Sequence, residues 1–237
     1  MTISNKFIFY TLLLILPLKV YSQSADTDSI HNKKLRNTSL SFDVATAVDP
    51  VHPRYRMGIF HRWTEKWGAS LDLGYGDEDL TIHSDNRGID YRLWEIRPEV
   101  YLFYTQRQRM TNYLSFEIFY IQHTDLFINK VYVPEGSNTE IQFDRADFER
   151  RKYGFHLKHG HLISLSNRFG LDLYYGLGLK TRDISYKNIV NPEETDIVYV
   201  PVFFEIFKLG DSFNLKKEEG SVTGINISAG IKVHYFF

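Results

Sequence analysis

The last fourteen residues, GINISAGIKVHYFF, place an apolar side chain at every second position from Ile225 through Ile227, Ala229, Ile231, Val233 and Tyr235 to Phe237. Asn226, Ser228, Gly230, Lys232, His234 and Phe236 fall between them. Successive side chains of a strand point to opposite faces, so this is a two-faced strand that must lay one whole face against an apolar medium. It also needs partners for both of its edges.

Seven further period-two segments follow Arg36, and no stretch of comparable length carries a 3.6-residue apolar stripe. The first, NTSLSFDVATAV, sets Leu40, Phe42, Val44, Thr46 and Val48 on one face. YRMGIFHRW sets Tyr55, Met57, Ile59, His61 and Trp63 against Arg56, Gly58, Phe60 and Arg62, and WGASLDLGYG sets Trp67, Ala69, Leu71, Leu73 and Tyr75 against Gly and Asp72. YRLWEIRPEVYLFY, YLSFEIFYIQ, KYGFHLKHGHL and FGLDLYYGLGLK continue the series.

The polar face is unlike a solvated sheet surface. It mixes glycines with charges of both signs (Asp72, Glu95, Arg97, Glu99, Glu117, Lys158, Asp172, Lys180, Lys232) and with aromatics such as Phe103, Phe119 and Tyr174. Inside a narrow barrel, side chains converge and glycine makes room for large neighbours. The other face carries large apolar groups with almost no charge, as contact with lipid requires. Thr64 to Lys66, Thr105 to Asn112 and Ser164 to Arg168 are short connections; Asp77 to Asp90, Thr124 to Lys152 and Thr181 to Thr223 are long, and only the first of that set, Asp49 to Arg54, is short. Short turns at one end and long loops at the other predict an all-β, eight-stranded antiparallel up-and-down transmembrane barrel over residues 37–237. Trp63, Trp67, Tyr104, Phe169 and Tyr235 gather near the short-turn end, where an aromatic belt meets a membrane interface. Pro98, in mid-segment, fits this scheme least well.

The first residues add a location. Lys6, the apolar run Phe7 to Leu18, and small residues before the Ser22/Gln23 bond read as a secretory signal over residues 1–22. The run is too short to span a bilayer as a helix. Residues 23–36 read as a polar tail. The net charge of -1 offers no basic face for nucleic acid. The chain has no cysteine, which excludes disulfides, a thiol nucleophile and a lipid-bearing Cys. Aromatic residues reach 16%, in keeping with strands and membrane interfaces.

The signal segment, eight alternating segments and a last strand ending on Phe237 resemble the small outer-membrane barrels of the OmpA and OmpX type. RMGIFHRWTEKWGASLDLGYG and RFGLDLYYGLGLKTR are similar to the strand, short turn and glycine-alternating strand that recur in such proteins. The resemblance implies the outer membrane of a Gram-negative cell, with lipid and lipopolysaccharide around the barrel. It also implies that Val233, Tyr235 and Phe237 act as the signal read by the barrel assembly machinery. It says nothing about chemistry, since one fold hosts many activities.

Two readings of the inward charges stand side by side: a paired network filling the lumen, or a gated path for ions or small solutes. His159, His161, Ser164 and Ser166 invite a lipid-hydrolase reading, but no acidic partner sits at a suggestive offset, and two histidines without a third ligand make a weak metal site. No metalloprotease helix, phosphate loop or nucleophile elbow is present. The expectation is therefore a non-enzymatic barrel with no catalytic residue, cofactor or metal. Its long loops, among them the strand-like pieces FINKVYV and TEIQFDRADF around Pro134 and Gly136, which read as a hairpin extending the fifth and sixth strands, and the apolar run Val198 to Leu209, would meet an extracellular ligand.

Overall fold

The computed structural model describes residues 37–49, 52–79, 88–106, 109–198 and 218–237, apart from the side chains of residues 196–198. The expected signal segment and tail, and nearly all of the Val198 to Leu209 run, lie outside these residues. The described strands are β1 (Thr38–Asp43), β2 (Tyr55–Arg62), β3 (Trp67–Asp77), β4 (Arg92–Gln106), β5 (Met110–Tyr132), β6 (Thr139–Ser164), β7 (Phe169–Val190), β8 (Glu193–Val198) and β9 (Gly220–Phe236). Strands β1 to β7 pair in sequence, β7 pairs with β9, and β9 returns to β1, every pair antiparallel. The chain is thus an eight-stranded antiparallel barrel, with β8 outside the ring on the far end of β6.

The two-faced terminal strand finds both of its edges here. Tyr235 stands opposite Leu40 of β1 and Phe169 of β7, and the Phe237 N–H donates to the Thr38 carbonyl at 3.2 Å. Its apolar residues point outward, with Ile227 63% and Phe237 61% exposed, while Lys232 and His234 are buried in the lumen. β2 alternates in the same sense, Met57 and Ile59 out, Arg56, Phe60 and Arg62 in.

Register builds two aromatic girdles around this exterior. Trp63, Trp67, Tyr104, Phe169 and Tyr235 mark the short-turn end. At the loop end Tyr55 stands opposite Tyr75, Tyr75 opposite Trp94, and Tyr120 opposite Tyr153, with the Trp94 and Tyr120 rings 5.1 Å apart. Along β3 the eight steps from Trp67 to Tyr75 span about 26 Å, or roughly 20 Å along the axis at a tilt of about 40°. That is close to the height of a lipid-facing band.

Inside, large side chains lie across from glycines of neighbouring strands. Asp72 faces Gly58, Glu95 faces Gly74, and Tyr113 and Tyr174 both face Gly160. Tyr174 also faces Gly230, where a Cβ would meet its ring. Pro98 is accommodated because it faces outward and the β4–β5 ladder skips Arg97 and Pro98, resuming in the same register at Glu99.

One local outcome differs from the periodicity. The first segment alternates only to Asp43, whose carboxylate accepts from the Thr46 N–H and N-caps a single helical turn, α1 (Val44–Ala47). Thr46 therefore turns inward rather than joining an outer face. Within Thr124 to Lys152 the strand-like pieces do extend the fifth and sixth strands as a hairpin, in one register from Thr124 opposite Glu149 to Tyr132 opposite Ile141 with only Asn129 and Asp144 unpaired in the ladder. The hairpin is closed by a turn in which the Ser137 N–H donates to the Pro134 carbonyl and Gly136 takes the positive φ of 75° that the turn requires.

Replacing Gly230 by Leu is expected to abolish closure, because Tyr174 occupies the space above it. The refolded variant should lack a compact, SDS-resistant band in unheated samples, whereas Ala229→Leu on the outer face should keep one.

Candidate functional site

The inward charges join into one connected chain of alternating sign. Arg54 Nε donates to Glu95 Oε1 at 2.8 Å, and its Nη1 lies 3.2 Å from Asp49. Arg97 bridges Glu95 Oε2 at 2.8 Å and Glu117 Oε1 at 2.9 Å. Lys158 Nζ joins Glu117 Oε2 at 2.5 Å to Glu99 Oε2 at 3.3 Å, and Lys232 Nζ joins Glu99 Oε2 at 3.4 Å to Asp72 Oδ2 at 2.6 Å. Arg56 branches from it, 3.7 Å from Glu95, donating to Asp43 and to the Tyr174 hydroxyl, which itself donates to Asp43 at 2.8 Å. His156 stands between Glu117, 2.9 Å from Nδ1, and the Asn226 amide, 2.7 Å from Nε2. An amide donor at Nε2 defines the neutral tautomer that donates from Nδ1 to Glu117.

Of the nine charges picked out in the sequence, Asp72, Glu95, Arg97, Glu99, Glu117, Lys158 and Lys232 meet in this chain. Asp172 sits lower, accepting from the Tyr113 hydroxyl at 2.7 Å with His234 Nε2 3.7 Å away, and Lys180 sits higher, lining a cavity. Val233 and Tyr235 stand opposite Phe42 and Leu40 at the seam. The sequence reading missed Asp43, Arg54 and His156 as partners. Arg54 lies in a connection with no periodicity, and Asp43 ends a segment that reads as continuing.

Below the ionic chain, toward the short turns, Phe60, Tyr101, Phe103, Tyr113 and Tyr174 form an aromatic cluster, with the Arg62 guanidinium 4.3 Å from the Phe103 ring centre. Side chains fill the lumen at this level. Above the chain lies a cavity of about 390 Å³.

A second aromatic cluster stands beyond the loop-end girdle. The far ends of β5, β6 and β7 bury Phe127, Tyr132, Phe143, Ala146, Phe148, Ile184 and Tyr186 together. Phe127 stacks on Phe148 at 4.6 Å, and Tyr132 meets Tyr186 at 4.8 Å. Burial pushes the Tyr132 and Tyr186 hydroxyls above their ordinary values, so both stay neutral. On the outside at this height, a hydrogen bond from Lys187, with Arg151 beside it, holds the Glu149 carboxyl below its ordinary value.

His159 and His161, by contrast, are taken up locally. His159 Nε2 meets the Tyr104 hydroxyl at 2.6 Å and His161 Nδ1 the Asn112 side chain at 2.9 Å. Ser166 Oγ accepts from the Arg168 and Phe169 N–H groups, building the turn, and Ser164 is exposed beside it. Among the described residues no cluster of three metal-ligating side chains occurs.

A closed ring with an apolar exterior and a charge-paired interior defines a β-barrel of inverted polarity, its water-seeking groups turned to the axis. No protein-family model matches the chain, and no curated protein matches it. Among solved structures, the crystal structure of Acinetobacter baumannii CarO is similar over 85% of this chain and 97% of its own, at 11% identity and a TM-score of 0.38. A likeness of that size transfers no property to this chain.

Lys232→Met is expected to cost about 3–5 kcal/mol, because it strands Asp72 and weakens the hold on Glu99 in a buried site. Adding Asp72→Asn should recover part of that loss. Lys187→Ala, at an exposed pair, should cost less than about 1 kcal/mol. Urea unfolding in detergent followed by tryptophan fluorescence measures all three.

Proposed function

We propose that this chain is a non-enzymatic outer-membrane anchor whose shut barrel holds a rigid β-finger outside the cell for contact with an extracellular partner. The observation that carries this reading is the unequal length of the strands. β2 and β3 have 8 and 11 residues and stop near the girdles, whereas β5, β6 and β7 have 23, 26 and 22. From Tyr120 in the upper girdle to Tyr132, twelve residues carry β5 about 40 Å further along its path. A projection of that length with its own aromatic core is costly to keep unless it presents something, and ordered elements position a contact surface better than loose loops.

The membrane part of the proposal rests on the exterior. Leu71, Leu73, Leu114, Ile118, Leu157, Leu177 and Ile227 are all at least 45% exposed, in one band between two aromatic girdles. A water-soluble barrel would leave that whole band unsatisfied. Strands closed into a ring satisfy every backbone group internally, the condition for crossing lipid. Lipopolysaccharide would surround the girdle at the loop end. The terminal Val233, Tyr235 and Phe237 would present the outward apolar pattern that assembly machinery reads. Anchoring rather than conduction follows from the ionic chain and the aromatic cluster stacked across the lumen.

An epitope inserted after Gly136 is expected to label on intact cells, whereas one inserted after Ser166, in a short turn, should label only after the outer membrane is breached. Equal labelling would invert or abolish the proposed topology. In planar bilayers the purified protein should give no discrete conductance steps. Leu157→Arg should lower stability in lipid vesicles by about 2–4 kcal/mol. Ser164→Ala and Ser166→Ala should leave the lipid profile of the cell unchanged.

A further inference from the structure

The aromatic girdle at the short-turn end carries one polar set that anchoring leaves without a use. On the outer face of β6 the series Tyr153, Phe155 and Leu157 gives way to His159 and His161. His161 stands opposite Asn112 of β5, and His159 opposite Tyr175 of β7, while Tyr104 of β4 reaches over β5 to His159. Two histidines on a lipid-facing surface cost stability that two leucines would not.

The hydrogen bonds within the set fix what it can offer. His161 Nδ1 lies 2.9 Å from the Asn112 side-chain oxygen, so Nδ1 carries the proton and Nε2 keeps a lone pair. No hydrogen bond uses that lone pair among the described residues. The Tyr104 hydroxyl meets His159 Nε2 at 2.6 Å, the Tyr175 hydroxyl makes no hydrogen bond among the described residues, and both tyrosines are more than half exposed. His159 spaces the others, its ring 4.7 Å from that of His161 and 5.3 Å from that of Tyr175. The surface thus presents three acceptors, His161 Nε2 and two phenol oxygens, among aromatic rings. A primary ammonium matches it, with three N–H donors and an attraction to ring faces. A cation stands below. Arg109 is exposed just before β5, and the Ser164 N–H donates to its carbonyl at 2.7 Å, which holds it beside the end of β6. Its guanidinium has no ion pair among the described residues, and such a group grips phosphate. Above the set, Leu114, Leu157 and Leu177 are at least 50% exposed, a bed for acyl chains.

From this arrangement we infer that the outer face of β4 to β7 at the short-turn end binds one glycerophospholipid whose phosphodiester carries a primary ammonium, as in phosphatidylethanolamine. The ammonium sits on His161 and the two tyrosines, and the phosphodiester on Arg109. The inference rests on the outer-membrane reading, in which lipopolysaccharide surrounds the loop end and phospholipid the other.

Native mass spectrometry of the full chain, refolded into non-ionic detergent with equal amounts of phosphatidylethanolamine, phosphatidylglycerol and phosphatidylcholine, tests this. One phosphatidylethanolamine is expected to stay bound in preference to the others, since glycerol lacks the charge and choline lacks the N–H groups. His161→Leu should weaken that retention about tenfold. A leucine there suits lipid, so the compact SDS band of unheated samples should persist. Should that variant fail to fold, Tyr175→Phe, which removes one oxygen and keeps the ring, should lower retention severalfold. Arg109→Gln should lower the retention of all three phosphodiesters, and His61→Leu, on β2 at the same girdle, should change nothing. Equal retention of the three lipids, or undiminished retention in whichever variant folds, overturns the inference and leaves the barrel standing. Preferred retention of phosphatidylglycerol also overturns it, assigning Arg109 to an anionic lipid. Absence of the compact band from the natural chain would remove the outer-membrane reading, and this inference with it.

Discussion

The ion pairs running from Asp49 through Arg54, Glu95, Arg97, Glu117, Lys158, Glu99 and Lys232 to Asp72 are the interaction on which the rest of the structure depends. A water-soluble β-protein gathers its strands by burying apolar faces. In the proposed membrane setting that force does not act across the ring, since the outer faces meet lipid tails as apolar as themselves. Cohesion must then come from the ladders and from the interior. The chain draws on β3, β4, β5, β6 and β9, and through Arg54 on the segment entering β2, so most of the wall is tied through one set of charges. Each member is also the counter-charge of the next, so no strand can leave without stranding a buried ion.

Such a chain needs both reach and space, and the two requirements explain the alternation of the inward face. Eight strands leave an interior only just wide enough for side chains. Long charged and aromatic groups therefore fit only where the neighbouring strand withdraws, at Gly58 beside Asp72, Gly74 beside Glu95 and Gly160 beside both Tyr113 and Tyr174. The same economy creates the cavity. On β9 the inward positions above Lys232 are Gly230, Ser228 and Asn226, and only the first is covered by a ring, that of Tyr174.

This logic is legible in the sequence to the extent that it is periodic. The outer and inner faces of β2 to β7 and β9 follow from spacing two, and so does the presence of opposite charges inside, because those charges occur on the glycine-bearing face. What requires register is not legible. Nothing along the chain says that Tyr55, Tyr75 and Trp94 stand level, so the upper girdle is visible only once the strands are aligned. Which carboxylate meets which cation is hidden for the same reason. Lys180 reads as equivalent to Lys158 but lies on β7 opposite Gly154, whereas Lys158 lies on β6 opposite Ser115, nearer the turns. The finger is half legible, since FINKVYV and TEIQFDRADF around Pro134 and Gly136 read as a hairpin extending the fifth and sixth strands, but the aromatic cluster that packs it, which also draws on β7, appears only once the strands are aligned.

Asp43 shows how closely closure and site are joined. In the ladder it stands opposite Arg56 of β2 on one side and Lys232 of β9 on the other, an opposite-charge pair across each neighbour of the shortest strand in the ring. The same carboxylate caps α1, accepts from Tyr174 and lines the floor of the cavity. β1 has only six residues with which to hold β9 to β2. Ladder hydrogen bonds over so short a strand are few, and a buried carboxylate between two cations adds a penalty for parting that extra strand length would otherwise have to supply. The chain turns inward at Asp43 because continuing outward, as the apolar Val44 and Val48 would allow, would carry the strand past the point where its charge is needed. The helical turn that results narrows the mouth of the barrel, and it places Thr46 and Asp49 on the wall of the cavity that the seam below it closes.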